Sequence, residues 1–188
     1  ALLAKADLQH AFRLIPVQPS HRWLLGHWWQ GSYYVDLRLS FGLRSSCSIF
    51  NDLAEVLAIS TRYHAGYRHV HHYLDDFFFI GRPGSPDCAR AYQTFLSLCQ
   101  RCNVPVSSEK CSPPSTRMDL LGCVLDTHEM SISLPPAKLS DLIQHISHTI
   151  RSRTIRQRKL LSLVGKLVHA AKCVPAGRSF FRRLLDAA

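Results

Sequence analysis

The chain has 188 residues, 46% hydrophobic and 19% charged, with a formal net charge of +10 and a pI near 9.6. That length supports one sizeable core, or a core with a small appended unit, and the composition excludes wholesale disorder. No apolar run approaches the roughly 18 residues of a membrane span and the N-terminus has no signal-peptide layout, so no membrane partner is expected.

Residues 2–8 read as a buried strand ending at Asp7, followed by a turn of helix at Ala11-Phe12 and an extended exit at Pro16-Val17. Arg22 to Trp29 and Tyr33 to Leu39 are two β-rich runs around Gln30-Gly31-Ser32, a hairpin pattern. A loop pivoting on Gly42 leads to a helix with Ile49, Phe50, Leu53, Ala54 and Leu57 at helical spacing and Ser45 or Ser46 as its N-cap. Next come a Val-His-His-Tyr-Leu run, Asp75-Asp76, and a Phe-Phe-Phe-Ile run, which predict two strands with the carboxylates at the turn.

Ser85-Pro86 starts a further helix with Tyr92, Phe95, Leu96, Cys99 and Cys102 on one stripe, and Asn103 ends it. Leu120 to Leu125 and Met130 to Leu134 predict a second hairpin. Beyond Pro135-Pro136 the pattern is helical. Leu139, Leu142, Ile143, Ile146 and Ile150 form one face; a capping box at Thr154–Gln157 opens the next helix, which bears Leu160, Leu161, Val164, Leu167 and Val168. The expected division is 1–134, an α/β (α+β) unit with an antiparallel sheet and packed helices, and 135–188, a helical unit.

The positive charge favours a polyanionic partner, nucleic acid above an anionic membrane surface. Arginines cluster toward the C-terminus at Arg151, Arg153, Arg156, Arg158, Arg178, Arg182 and Arg183, and the planar guanidinium suits phosphate oxygens. The seven cysteines, odd in number and scattered, point to a reduced intracellular protein, with nothing to choose cytoplasm over nucleus. Cys99 and Cys102 form a C-x-x-C, but their place on a helical stripe favours packing over zinc.

Asp75 and Asp76 differ from an ordinary polar turn because their flanks are so apolar. Like charges on a half-buried hairpin repel, and a cation relieves that repulsion. If the Asp7 strand neighbours the hairpin, three carboxylates converge at one sheet edge, an oxygen-rich set suited to Mg²⁺ or Mn²⁺. Two such ions about 3.5–4 Å apart can activate a hydroxyl and stabilise a leaving pyrophosphate.

In this order the residues resemble the palm and thumb of a reverse transcriptase, in detail those of DIRS-like, tyrosine-recombinase retrotransposons. Lys5 to Phe12 matches motif A, Leu39 to Cys47 motif B and Tyr73-Leu74-Asp75-Asp76 motif C. The resemblance implies RNA-directed DNA polymerase activity by two-metal nucleotidyl transfer. Asp7, Asp75 and Asp76 would be its catalytic metal ligands and Lys110 its motif D lysine. It also implies Phe12 as the steric gate against a ribose 2′-OH and Phe41, Gly42 and Tyr73 at the nucleotide. Leu120, Leu121 and Gly122 would form the primer grip, and Arg151, Arg153, Arg156 and Arg158 would contact duplex phosphates. The partners implied are an RNA or DNA template with a DNA primer and deoxynucleoside triphosphates, with RNase H and recombinase domains in the full-length polyprotein. The family usually has Pro where this chain has Ser40 and Cys47, two departures that loosen the motif B loop. The family's basic fingers residues lie upstream of motif A, so the chain reads as a fragment. A non-catalytic nucleic-acid-binding remnant is the alternative, and an unselected pseudogene product a further one.

Overall fold

The computed structural model describes residues 1–152 and 154–186, which form two compact units, Ala1–Thr116 and Arg117–Ala188. No helix among the described residues is long and apolar enough to cross a membrane.

The first unit is built on a four-stranded antiparallel sheet. Its strands are β1 (Leu2–Asp7), β4 (Val70–Tyr73), β5 (Asp76–Gly81) and β6 (Ser112–Ser115), in the spatial order β4-β5-β1-β6. A separate hairpin, β2 (Gly26–Trp29) and β3 (Ser32–Val35), turns on Gln30-Gly31 as expected. The residues before it differ from expectation. Pro19–Leu25 is a 3-10 helix with Pro19 in its first turn, so only Gly26–Trp29 of the first β-rich run is strand. Proline's fixed φ suits a helical first turn, which the apolar Trp23-Leu24-Leu25 content masked.

Helices α1 (Ser46–Ala65) and α2 (Asp87–Arg101) pack against each other and on the sheet. Alternation along the strands decides which face they cover. Ala4 pairs with Phe79 and Ala6 with Phe77, and all four are buried in the core with Phe50, Ala54 and Phe95. The α2 stripe is buried at Tyr92, Phe95 and Cys99, while Cys102 at its end is exposed. The N-cap of α2 is Pro86 and not Ser85, whose Oγ accepts the Asp87 N–H at 3.2 Å from one residue further out, and Asn103 follows the helix at φ +53°. At α1, Ser45 holds the N-cap position without a side-chain cap bond, and Ser46 Oγ donates instead to Ser40 O at 2.8 Å.

Glu55 on α1 ties that helix to β4. It meets His72 Nε2 at 2.9 Å and accepts from Arg62 at 3.0 Å, while Arg62 Nε also donates to Val70 O at 3.0 Å. His72 and then Arg62 hold the Glu55 carboxyl below its usual range. A carboxyl depressed in the fold stabilises it above the ordinary glutamate pKa, and that contribution is lost as pH falls through the depressed value. Glu55→Gln should therefore lower Tm near pH 7, and the gap should close as pH falls through the depressed value, below which both chains lack the charge. Parallel melting curves that keep a constant gap across that range would show that the carboxylate charge contributes nothing.

The second unit holds a three-stranded sheet, β7 (Arg117–Leu120), β8 (Cys123–Asp126) and β9 (Ser131–Ser133), with helices α3 (Pro136–Arg151), α4 (Gln157–Ala170) and α5 (Arg182–Asp186). Pro135 stands at the N-cap of α3. The strand expected over Leu120 to Leu125 is broken at Leu121-Gly122, whose φ values of +48° and +80° make the two-residue turn between β7 and β8. The expected stripe on α3 is buried only at Leu142, with Leu139, Ile143 and Ile150 exposed. On α4 the buried residues are Leu160, Leu163 and Val164, and Leu161 and Val168 are exposed. The Thr154 capping box does not form: α4 starts at Gln157 with an extended Arg156 at the cap, too late for Thr154 to reach its first amides.

Candidate active site

The face of the first sheet opposite α1 and α2 carries the carboxylates. Because Asp7 is directly paired with Asp76 across β1 and β5, their side chains leave the sheet on the same side, next to the Lys5–Phe78 pair. β4 and β5 are joined by Leu74 and Asp75 alone, so Asp75 stands at the turn. Leu74 takes φ +53°, a left-handed conformation costing a residue with a side chain about 1–2 kcal/mol. The Leu8 N–H donates to Asp75 O at 3.0 Å and pins this turn to the end of β1. Asp7 and Asp76 are thus register partners on neighbouring strands, and Asp75 stands at the turn beside them.

Asp7 is only 6% exposed, and Lys110 Nζ reaches both its oxygens, at 3.2 and 3.3 Å. Lys110 sits in a 3-10 turn (Ser108–Lys110), and the preceding Ser107 N–H donates to Asp7 O at 2.8 Å. Asp7 raises the Lys110 pKa through this hydrogen bond and its charge. Burial pushes the Asp76 carboxyl above its ordinary range, and the Asp7 and Asp75 carboxylates add to the rise against Lys5 and Lys110.

Among the described residues no three His, Cys, Asp or Glu side chains are gathered closely enough to form a metal-ligand set. The chemistry of the donors nonetheless fits a hard divalent cation. They are all carboxylate oxygens, and burial, with the nearby Asp7 and Asp75 charges, opposes the ionisation of Asp76.

A raised carboxyl favours the fold fully below the ordinary aspartate pKa, and that contribution is lost as pH rises through the raised value. Asp76→Asn should thus raise Tm at pH 7 in the presence of EDTA, by about 2–4 °C for each kcal/mol of repulsion removed. The gain should shrink on acidification toward pH 4. An unchanged or lower Tm at pH 7 would show that the repulsion carries no net cost.

A cleft of about 330 Å³ opens beside the carboxylates, lined by Asp7, Leu8, Gln9, His10, Ala11, Phe41, Asp75, Ser107 and Lys110. His10 and Ala11 both take positive φ, +66° and +35°. Strain of this kind, persisting in a lined cleft, is characteristic of functional sites. Neither it nor Ser107 carried any signal in the sequence.

Phe41 is 66% exposed on the cleft, and its ring meets Phe12 edge-on at 5.0 Å. Phe12 itself is buried, also against Phe50 at 5.5 Å, so it lies under Phe41 and not among the cleft lining. Gly42 takes φ +90°, which a Cβ would oppose. In that loop Ser40 Oγ donates to Asp36 Oδ2 at 2.7 Å, and Asp36 also pairs with Arg13. Tyr73 is exposed opposite Asp76.

In the second unit, Leu120 ends β7 and Leu121-Gly122 is the turn. Lys138 Nζ and His169 Nε2 reach Gly122 O at 3.3 and 3.1 Å. A Cβ on Gly122 would stand 2.6 Å from Lys138 Nζ. Arg156 and Arg158 line a cleft of about 1050 Å³ with Lys159, Lys166, His145 and His148. Arg151 is exposed at the end of α3, and Arg153 lies outside the described residues.

The family model for reverse transcriptase (RNA-dependent DNA polymerase) matches residues 1–125, the span that holds all three carboxylates and Lys110. The chain belongs to the reverse transcriptase family. No curated protein matches it. Among solved structures, the foamy viral protease-reverse transcriptase in complex with double-stranded DNA superposes with a TM-score of 0.76 at 18% identity, over 98% of this chain and 30% of that one. The same viral protein in complex with an RNA/DNA hybrid gives 0.74 at 17% identity, over 95% and 23%. The native prototype foamy virus protein gives 0.57 at 20%, over 91% and 24%. This reverse transcriptase chain therefore shares the fold of those enzymes and spans less than a third of their length.

Proposed function

We propose that this domain catalyses template-directed nucleotidyl transfer as an RNA-directed DNA polymerase, residues 1–134 acting as palm and 135–188 as helical thumb. The observation that carries the reading is the Asp7–Asp76 pair facing across β1 and β5, with Asp75 at the adjoining turn and Lys110 upon Asp7. Asp7 and Asp75 line the cleft and are the direct ligands for Mg²⁺ or Mn²⁺, with Asp76 auxiliary. Two bound divalent ions would supply Lewis acidity for a primer 3′-hydroxyl and a leaving pyrophosphate. Lys110 offsets negative charge on that pyrophosphate or gives it a proton. Phe12, under Phe41, limits room at the sugar and selects deoxynucleotides. Gly42 and Tyr73 flank the nucleotide, and the Leu120–Gly122 turn grips the primer.

Arg151, Arg156 and Arg158, with Arg153, follow duplex phosphates without reading sequence. Structures of the foamy viral enzyme with double-stranded DNA and with an RNA/DNA hybrid support a template–primer as the partner. The resemblance of Leu161–Gly165 and Val174–Arg178 to the thumb of the DIRS-like group supports a DIRS-like retrotransposon source. The scattered free cysteines support a reducing, intracellular setting.

Primer extension on an RNA template with Mg²⁺ or Mn²⁺, by a chain extended upstream to include the fingers residues and by its Asp75→Asn variant, tests the proposal. Extension by the wild-type chain and none by the variant is expected; equal extension by both, or none by either, would overturn it. A non-catalytic remnant draws on a different observation, the absence of an assembled three-ligand group among the described residues. Salt-sensitive duplex binding without Mn²⁺ binding at Asp75 would favour that reading.

A further inference from the structure

Two thiols and an imidazole meet beneath the Leu121-Gly122 turn of the second unit, apart from the carboxylate site. Cys123 opens β8, His169 lies in the last turn of α4, and Cys173 lies in the turn that follows it. The Cys173 thiol donates to the Cys123 sulfur at 3.8 Å, and His169 Nε2 stands 4.0 Å from that sulfur and 3.1 Å from Gly122 O. A carbonyl only accepts, so Nε2 carries the proton and its N–H faces both Gly122 O and the Cys123 sulfur. Two donors thus converge on the Cys123 sulfur. Cys123 is buried and Cys173 is half-buried, so a soluble reagent meets Cys173 first.

We propose that Cys123 and Cys173 form a reversible redox pair that closes to an intramolecular disulfide, tying the β7–β8 hairpin to the end of α4. The oxidant is a small-molecule disulfide. The Cys173 thiolate attacks one of its sulfurs, the S–S bond breaks, and the departing thiolate takes up a proton. The Cys123 thiolate then attacks the Cys173 sulfur of the mixed disulfide and expels the second small thiolate, which is protonated in turn. Two protein thiols are oxidised and one disulfide is reduced to two thiols. Burial and the hydrogen bond to Cys123 push the Cys173 thiol up, so closure accelerates as pH rises above neutrality. Any effect on primer binding rests on the polymerase reading; the disulfide itself does not.

The test treats the folded chain with oxidised glutathione, blocks remaining thiols with N-ethylmaleimide and maps the peptides by mass spectrometry. A Cys123–Cys173 cross-linked peptide is expected, lost on adding dithiothreitol and formed faster at pH 8.5 than at pH 7. The exposed Cys47 and Cys102 should carry glutathione adducts instead. In Cys123→Ser the adduct should persist on Cys173, because the resolving sulfur is gone. The oxidised chain should melt several degrees higher than the reduced one. Persistent glutathione on Cys173 in the wild type, or both thiols alkylated after oxidation, would overturn the proposal. The wild-type peptide map suffices to separate these outcomes, even if the variant fails to fold. A chain without polymerase activity that still closes this bond would separate the two readings.

Discussion

Asp7→Asn is expected to abolish primer extension, lowering it by roughly a thousandfold or more, while shifting Tm far less than a core truncation. Electrostatic stabilisation by a bound divalent ion is worth several kcal/mol, and each 1.36 kcal/mol is about tenfold in rate. Asparagine keeps the shape of Asp7 and one acceptor oxygen, so Lys110 retains a hydrogen-bond partner. The backbone also stays anchored, since Ser107 N–H bonds to the Asp7 carbonyl, which the substitution leaves alone. Removing the charge relieves Asp76, whose carboxyl is raised in part by Asp7. The variant should therefore retain the native circular dichroism spectrum and lose Mn²⁺ binding together with extension. An Asp7→Asn chain that extends primers within tenfold of wild type would move the chemistry away from this sheet edge.

The second large effect concerns the wall behind the carboxylates. Phe95 on α2 is fully buried, and its ring lies 4.4 Å from Phe77 and 5.6 Å from Phe79. Both belong to β5, whose first residue is Asp76. Phe95→Ala removes the ring from a site with no access to water and should cost about 3–5 kcal/mol, a large share of a domain's stability. Urea unfolding followed by tryptophan fluorescence and far-ultraviolet circular dichroism would measure it. A loss below about 1 kcal/mol would mean that α2 does not bear on β5 through this ring.

Much of the site is legible in the sequence because its signals are local. Asp75 falls at a turn and Asp76 opens the next strand because β-forming runs flank them, and Asp7 ends a strand for the same reason. Their meeting is conditional on β1 and β5 being neighbours, which no local pattern states. The Lys110–Asp7 contact joins residues far apart in the chain, and only the family resemblance points to Lys110. Strand β6 has no strand signal because Pro113 and Pro114 argue against one, and sheet edges are where that rule relaxes. Leu121 reads as strand because it is apolar, although the following Gly122 supplies the left-handed conformation of a two-residue turn. The exposed face of α3 shows the limit of periodicity: spacing shows which residues share a face, and only tertiary structure shows what covers it. The motif B serine likewise reads as a lost constraint, whereas its hydroxyl holds Asp36.

The two prolines of β6 also set how this sheet can meet other chains. A β-sheet grows at an outer strand by offering amide hydrogens to an incoming backbone, and Pro113 and Pro114 have none to offer. Accretion on that flank is disfavoured by the covalent structure of the chain itself. The opposite flank is β4, whose Val70–Tyr73 backbone pairs with β5 and with no other strand among the described residues. Any extended peptide that lengthens this sheet would therefore dock along His71 and Tyr73, within one turn of the paired carboxylates.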